Sequence, residues 1–586
     1  LARELATIPD ILRISPLMRR MEGMRQMIKA SLLEIIKSKW FSGQKKRMTK
    51  HLNERFQSKL DRLEEVEIPS ALADSLTKVK DVLKTSNDLV IREFYLGRHL
   101  PSRAAVLFID GLSDSRVTDE FILKAGMFDT SLEALRTDNG GEQNLEQLED
   151  DLRRLGIPIN ELEVASSLKE VVYAALTGDA AVLIDGVPRA LTLNTKGWVQ
   201  RGIEEPSTES VVRGPRDSFT ETIRTNTAMI RRRLRDPNLC VESMTVGRRS
   251  VTDIAVMYLE DVADPKLVEQ VKQRINGIDI DAVLESGFIE QFIEDHHISP
   301  FPMIQNTERP DKAVANILEG RVIIVSDGTP FVLIAPAVFA QFYQSPEDYY
   351  ERFLIGTLIR LIRIISMGMA LLLPSLYIAF SSFHPEMIPS RLVIAMAAGR
   401  STVPFPSIIE AFLMEVTMEI LREASVRLPG PIGPTIGIVG ALVVGQAAVQ
   451  AGIVSPIMVI IVALTTIGSF ASPSYSAAIA LRMLRFPMMI AASLFGLYGI
   501  MLLMIFIIVH LCTLKSFGVP YLSPMTPMNL NANKDTFIRA PLQWMFKRPE
   551  PFQPQDSIRV GDTSVEVDKE GESNNATQGS KQPEPS

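Results

Sequence analysis

From Leu428 to Leu481 the chain runs for 54 residues without a single Asp, Glu, Lys or Arg. A second uncharged run, Pro487 to Leu514, has 28 residues, and a third, Ile364 to Phe383, has 20. A helix of about 20 apolar residues, rising about 1.5 Å per residue, crosses the hydrocarbon core of a bilayer. The longest run holds two such helices with a turn at AGIVSP, Ala451–Pro456. Four spans are therefore expected, at 364–383, 432–452, 455–472 and 487–511. A chain of 586 residues exceeds one core, which leaves a large soluble front half.

Charge divides the remainder. The net charge of −7 argues against a dedicated nucleic-acid binder. Residues 1–60 carry fourteen Lys/Arg against five Asp/Glu, whereas Pro549–Ser586 carries three against eight. The expected layout is a basic helical arm (1–74), two α/β subdomains (75–205 and 206–345), a membrane domain (346–515), a cytoplasmic segment (516–548) and a disordered acidic tail (549–586). The amino terminus shows no signal-peptide core, and two cysteines cannot build a disulfide framework.

The front half repeats itself. LTGDAAVLIDGVP (Leu176–Pro188) lies over LEGRVIIVSDGTP (Leu318–Pro330) at an offset of 142, and AVLFIDGL (Ala105–Leu112) over AVMYLEDV (Ala255–Val262) at 150. Each unit reads as a buried strand, amphipathic helices such as NLEQLEDDLRRLGI and PKLVEQVKQRINGI, then a hairpin turned by Asp-Gly. The expected fold class is thus a duplicated α/β soluble domain followed by an all-α polytopic membrane domain.

Between the units stands VRGPRDSFTETIRTNTAMIRRRLRDP, with seven arginines against three carboxylates. Ser218 or Thr220 is a candidate helix cap, with Glu221 completing a capping box after Ser218. Arg213, Arg216, Arg231, Arg232 and Arg233 are the candidate clamp across a subdomain or subunit seam. Contact with anionic headgroups or an acidic partner is the alternative reading. Nothing here has the aromatic interleaving of a nucleic-acid reader.

The membrane half is more than an anchor. Gly433, Gly437, Ala441 and Gly445, continued by Ala448 and Gly452, form a small-residue stripe for close helix packing. Gln446 and Gln450, one turn apart, need partners or water inside a bilayer. In PSIIEAFLMEVTMEILREASVRLPG, Glu415, Glu419 and Glu423 share one helix face, with Glu410 slightly off it. Arg422 and Arg427 can pair with Glu419 and Glu423, and Phe412, Leu413, Val416, Ile420 and Leu421 lie opposite. These glutamates and glutamines are the candidate pore or gating face. The helix either lies on the membrane surface or lines an aqueous vestibule, within an amphipathic or re-entrant segment at 391–428.

Basic flanks set the orientation. Arg352, Arg360 and Arg363 precede the first span, and Lys515, Lys534, Arg539, Lys547 and Arg548 follow the last, so both ends face the cytoplasm. Arg482 and Arg485 would then lie outside; a fifth span at 391–412 would repair that but expel the carboxyl terminus. No P-loop, Rossmann glycines, HExxH, GxSxG or cysteine cluster is present, and His296–His297 reads as a polar loop. An enzyme, a metal site or a cofactor is not expected.

Four stretches together carry a resemblance: VRGPRDSFTETIRTNTAMIRRRL, GRSTVPFPSIIEAFLMEVTMEILREASVRLPGPIG, IVGALVVGQAAVQAGIVSP and LRMLRFPMMIAA. They are similar to the A subunit of the GerA-type spore germination receptors of endospore-forming bacteria, from about residue 75 to 550. The resemblance implies a spore inner-membrane protein acting with a transporter-like B subunit and a lipoprotein C subunit. It also implies a homo-oligomer, as a pentamer, forming a nutrient-gated ion channel that triggers germination. A membrane-tethered scaffold without its own pore is the alternative, and a secondary transporter a weaker one, since no inverted repeat is seen.

Overall fold

The computed structural model describes residues 66–83, 86–96, 102–117, 162–197, 205–206, 208–427, 440, 443–527 and 535–560. Most of the basic arm, the stretch NLEQLEDDLRRLGI and the tail beyond residue 560 lie outside these. A mixed α/β region comes first and a helical region follows.

The first unit contains helix α1 (Leu72–Val82), strands β1 (Leu89–Leu96), β2 (Ser102–Ile109) and β3 (Leu162–Ala165), helix α2 (Leu168–Thr177), and strands β4 (Ala180–Ile184) and β5 (Ala190–Leu193). The second contains α3 (Ile223–Arg233), β6 (Leu239–Val246), β7 (Thr252–Leu259), α4 (Pro265–Asn276), α5 (Ser286–Ile293), β8 (Gln305–Thr307), α6 (Pro310–Leu318), β9 (Val322–Ser326) and β10 (Val332–Ala335). The two sheets have the same order, β1-β2-β4-β5-β3 and β6-β7-β9-β10-β8. All their ladders are antiparallel.

The duplication reaches the level of register. Val106 faces Val182 in the first sheet and Val256 faces Ile324 in the second, pairs related by the same offsets of 150 and 142 that align the sequences. The sequence reading lacked one strand: the buried strand of each unit is the second arm of a hairpin opened by β1 or β6. These opening strands alternate buried and exposed residues less cleanly. In β6, Glu242, Ser243 and Thr245 interrupt the apolar pattern.

The Asp-Gly turns do more than reverse the chain. Asp185 Oδ1 accepts the Leu72 amide at 2.9 Å, and Asp327 Oδ1 accepts the Ile223 amide at 3.0 Å. Gly186 and Gly328, at φ +87° and +85°, then donate to Ser70 and Glu221 carbonyls, each at 2.7 Å. Each turn therefore caps the helix that opens its own unit. This corrects the capping expected from Ser218 or Thr220 with Glu221. The helix starts later, after Thr222, whose side chain makes no capping hydrogen bond. A carboxylate 104 positions downstream satisfies the orphan amide instead. Helix α1 likewise crosses the boundary drawn at residue 74, because it belongs to the first repeat.

The helical region contains α7 (Phe353–Ser382), α8 (Ser390–Arg400), α9 (Ser407–Arg427), α10 (Pro456–Phe470) and α11 (Tyr475–Thr513). Two of these, α7 and α11, are long and apolar enough to cross a membrane. The span expected at 487–511 is not a separate helix. Its residues belong to the 39-residue α11, which breaks at Gly496 (φ 60°, ψ −139°). A Cβ at Gly499 would stand 2.1 Å from the Ala491 carbonyl oxygen, although eight residues of straight helix span about 12 Å. The two arms of α11 are folded sharply against each other.

Side-by-side contacts give the direction of each helix. Far from the α/β region, Ser382 meets Ser407 at 2.6 Å, Tyr377 meets Ser455 at 3.2 Å, and Gly452 and Gly496 abut Thr402 and Phe383. At the near end, Gly440 abuts Leu421, Gly468 abuts Ser366, Arg422 bonds Ser469 at 3.1 Å, and Ser299 meets His510 at 3.0 Å. Among the described residues α7, α9, α10 and the two arms of α11 run along the bundle, and the helical segment 443–450 packs beside α10. Segment 391–428, expected as one surface or re-entrant element, is two helices, the second of which runs the full bundle. The helical region differs from the expected layout in that charged α9 lies within the bundle and α11 doubles back on itself.

After α11 the chain returns to the second subdomain through the short hairpin β11 (Lys515–Ser516) and β12 (Val519–Pro520). Ser516 Oγ accepts the Ala337 amide at 3.1 Å and donates to the Met303 carbonyl at 2.7 Å. Residues 549–560, placed by sequence in a disordered tail, pack on the same subdomain. Phe552 is buried beneath the Arg321 guanidinium at 3.9 Å, and the Gln555 amide bridges the Glu260 and Ala263 carbonyls.

Replacing Asp327 by Ala should lower stability by roughly 0.5–2 kcal/mol, the range for a lost helix cap, and Asp185→Ala should do the same in the first unit. Thermal unfolding of the two variants beside the parent chain checks the equivalence.

Candidate functional site

Helix α9 is built inside out. Ile409, Leu413, Val416 and Ile420, spaced to share one face, are exposed, while Glu410, Glu415, Ala411 and Met414 are buried. A helix facing water would do the reverse. The outward side of α7 and α11 is likewise apolar, with Leu354, Leu358, Ile362, Phe495, Tyr498 and Phe506 exposed. This surface suits hydrocarbon, and it drives charge into the bundle.

The buried carboxylates are met by arginines from other helices. Glu415 pairs with Arg485 of α11; their side chains are 2% and 3% exposed. One turn on, Glu419 takes Arg482 of α11 at 3.0 Å and Arg422 of its own helix at 2.7 Å. Arg485 also donates to the Ala370 carbonyl of α7 at 2.8 Å, tying three helices together. Glu410 lies 3.7 Å from Arg400 and accepts the Ser455 amide at 2.6 Å at the start of α10. Glu423 and Arg427 pair at the exposed end of α9. Two carboxylate oxygens, Glu410 Oε2 and Glu415 Oε1, are buried with no hydrogen-bond partner among the described residues, as is Arg485 Nη2. Buried polar atoms of this kind mark a strained or hydrated site.

Sequence reading anticipated the Arg422 and Arg427 pairs but placed Arg482 and Arg485 outside the membrane. They lie inside a helix, where carboxylates neutralise them, so loop-charge counting does not apply. Their signal was present: arginines three apart in an apolar run match glutamates four apart on an antiparallel helix.

The candidate packing helix shows two faces. Gly445 is buried with a Cβ position 3.3 Å from Val459, and Ala448 is buried, so its small side packs inward. Gln446 and Gln450 are exposed beside exposed Val443. Gly433, Gly437 and Ala441 lie outside the described residues.

In the arginine-rich stretch, Arg231 is 1% exposed and forks onto Asp88 of the first unit at 2.7 and 3.0 Å, with Ser86 at 2.8 Å. It clamps the two subdomains. Arg233 pairs with Asp217 at 2.6 Å, and Arg213 and Arg216 lie near Glu351 and Glu205 at 3.7 and 3.2 Å, within the second subdomain and its approaches. Arg232 is exposed. Sequence reading did not find Arg309, fully buried against Asp311 at 2.8 Å and the Pro215 carbonyl at 3.0 Å, which stitches the linker to α6.

A further cluster joins both ends of the bundle to the α/β region. Arg360 reaches Asp348 at 3.1 Å and Asp535 at 3.0 Å, Arg363 reaches Asp348 at 3.2 Å, and Arg539 donates to the Glu351 and Tyr349 carbonyls at 3.3 Å. Burial raises the Asp535 carboxyl above its ordinary range against the opposing pull of Arg360. Among the described residues no group of three or more His, Cys, Asp or Glu is arranged to hold a metal ion.

Comparison with known proteins covers most of the chain. A family model described as Bacillus/Clostridium GerA spore germination protein matches residues 77–551. Spore germination protein KA of Bacillus subtilis (strain 168) is 46% identical over 494 residues, covering 84% of this chain and 89% of that protein. A protein of the same organism described as uncharacterized membrane protein YfkQ is 43% identical, covering 82% and 91%. The crystal structure of the N-terminal domain of the A subunit of the Bacillus megaterium spore germinant receptor GerK3 shares 36% identity over 47% of this chain and 97% of that one, with a TM-score of 0.36.

Breaking the Glu415–Arg485 pair from one side strands a buried charge, at a cost of about 3–5 kcal/mol. Arg485→Met should therefore lower the thermal unfolding temperature of the detergent-solubilised chain sharply, and adding Glu415→Met should recover much of the loss.

Proposed function

The chain belongs to the GerA family of spore germination proteins, and on that premise we propose that it is the A subunit of a germinant receptor whose copies surround a nutrient-gated ion passage. The observation that carries this reading is the exposure of Gln446 and Gln450 on a helix amid apolar passes. Amides on that surface need water or one another, which copies arranged in a ring around a wet centre supply. A wholly lipid-facing surface would have apolar residues there, as α9 does.

In this reading the bundle crosses the spore inner membrane, and the chain enters and leaves it on the cytoplasmic side, where the α/β region lies. The glutamates do not line the passage. Glu410, Glu415 and Glu419 with Arg400, Arg482 and Arg485 form the gating seam, because they hold α9, α10 and α11 in one relative position. Their unpartnered oxygens leave a second arrangement within reach. A transporter-like B subunit and a lipoprotein C subunit complete the receptor, as the family resemblance implies, and the nutrient signal arrives through them. The protein acts without catalysis or cofactor.

Spores carrying Gln446→Leu with Gln450→Leu should keep the receptor in the membrane yet lose monovalent-cation release on nutrient addition, and Glu419→Gln should shift its onset. Normal release from both variants would overturn the reading. Images of purified chain in detergent should show rings with a central hole.

A further inference from the structure

The α/β region carries an apolar patch beside the bundle. Phe288 and Phe292, four residues apart, share one exposed side of α5, while Ser286, Ile289 and Ile293 are buried, and Leu284, also exposed, precedes the helix. Ile298, just beyond, is 98% exposed. Contiguous exposed apolar residues of this size call for a covering surface.

The position of the patch is fixed by contacts at the carboxyl end of α5. Ser299 Oγ lies 3.0 Å from His510 Nε2 in the last turn of α11, and the Phe301 ring is 6.3 Å from the same imidazole. Asp295 accepts the Phe517 amide at 2.7 Å, and Arg274, paired with Asp295, stands over the Phe517 ring at 4.3 Å. The loop 294–301 is therefore level with the point where α11 ends. Phe506, Ile508 and Val509 are exposed just before that point, and Lys515, also exposed, brings the first charge after it.

We propose that Ile298 and Phe292, at the carboxyl end of α5, rest in the headgroup–acyl boundary of the bilayer, holding the α/β region against the lipid surface. The inference rests on α11 crossing the membrane. The loop that carries Ile298 touches the last turn of α11 through Ser299 and His510, and the residues exposed just before that turn are apolar, so one medium covers both. The nearby carboxylates are occupied within the fold. Asp295 is on Arg274, Glu294 accepts the Met303 amide at 3.2 Å, and Glu285 accepts Gly287 N at 2.6 Å, Ser286 Oγ at 2.5 Å and Thr329 Oγ1 at 3.2 Å. Burial, with Glu294 and Glu285 nearby, pushes Glu290 up to about 8, so it is mostly neutral at pH 7.

The test uses the full chain in liposomes with Cys512→Ser, since Cys240 is buried. A nitroxide is placed in turn at Ile298→Cys, Phe292→Cys, Phe506→Cys on α11, and Val251→Cys at the end of the second sheet away from Ala337. Accessibility to oxygen and to a water-soluble nickel chelate is read by power saturation. The expected result is oxygen exceeding chelate at 298 and 292 as at 506, with the order reversed at 251. If 506 is lipid-like but 298 and 292 favour the chelate, or are shielded from both reagents as under a second copy of the chain, the proposal is overturned and the reading of α11 stands. If 506 itself favours the chelate, α11 does not cross and both fail.

Discussion

A buried charge in an apolar bundle must meet its opposite, and the helical region is organised by that requirement. Glu415 and Arg485 are almost wholly removed from solvent, and neither could sit where it does without the other. Because Arg485 also binds the Ala370 carbonyl, one pair fixes α9, α11 and α7 relative to each other. Apolar packing alone tolerates rotation and sliding, whereas a forked guanidinium has few acceptable partners. Arg482 with Glu419 and Arg400 with Glu410 repeat the device along α9.

The same logic, applied outside the apolar bundle, connects the two α/β units to each other and to the helical region. Arg231 reaches across the repeats to Asp88, and Arg360 and Arg363 at the base of α7 meet Asp348 and Asp535. A shift between the two α/β units would therefore reach α7 through few, stiff contacts.

Much of this architecture is written locally in the chain. The duplication was legible because Asp-Gly turns and apolar strands recur at fixed offsets, and the sheets keep those offsets in their register. The apolar passes were legible wherever charge is absent. What failed was everything that depends on a distant partner. Glu415 and Glu419 look like a solvated face until Arg482 and Arg485 are known to face them. The cap of α3 sits on Asp327, and no local pattern points there. Likewise Gly496 is one of several glycines in an apolar run, and only its backbone conformation distinguishes a fold-back from a straight helix. The arginine cluster drew attention as a group, yet its members divide: Arg231 joins the repeats, while Arg233 pairs close by with Asp217.

The return of residues 515–560 onto the second subdomain has a consequence for biogenesis. Met303, Ala337 and Leu318 carbonyl or amide groups find their partners in Ser516 and Arg548, which leave the ribosome some two hundred residues later. In the interval the whole helical region is synthesised. The emerging domain therefore waits, incompletely sealed, for its last stitches, and a nascent chain stalled before them exposes a surface that chaperones and proteases can read as unfinished.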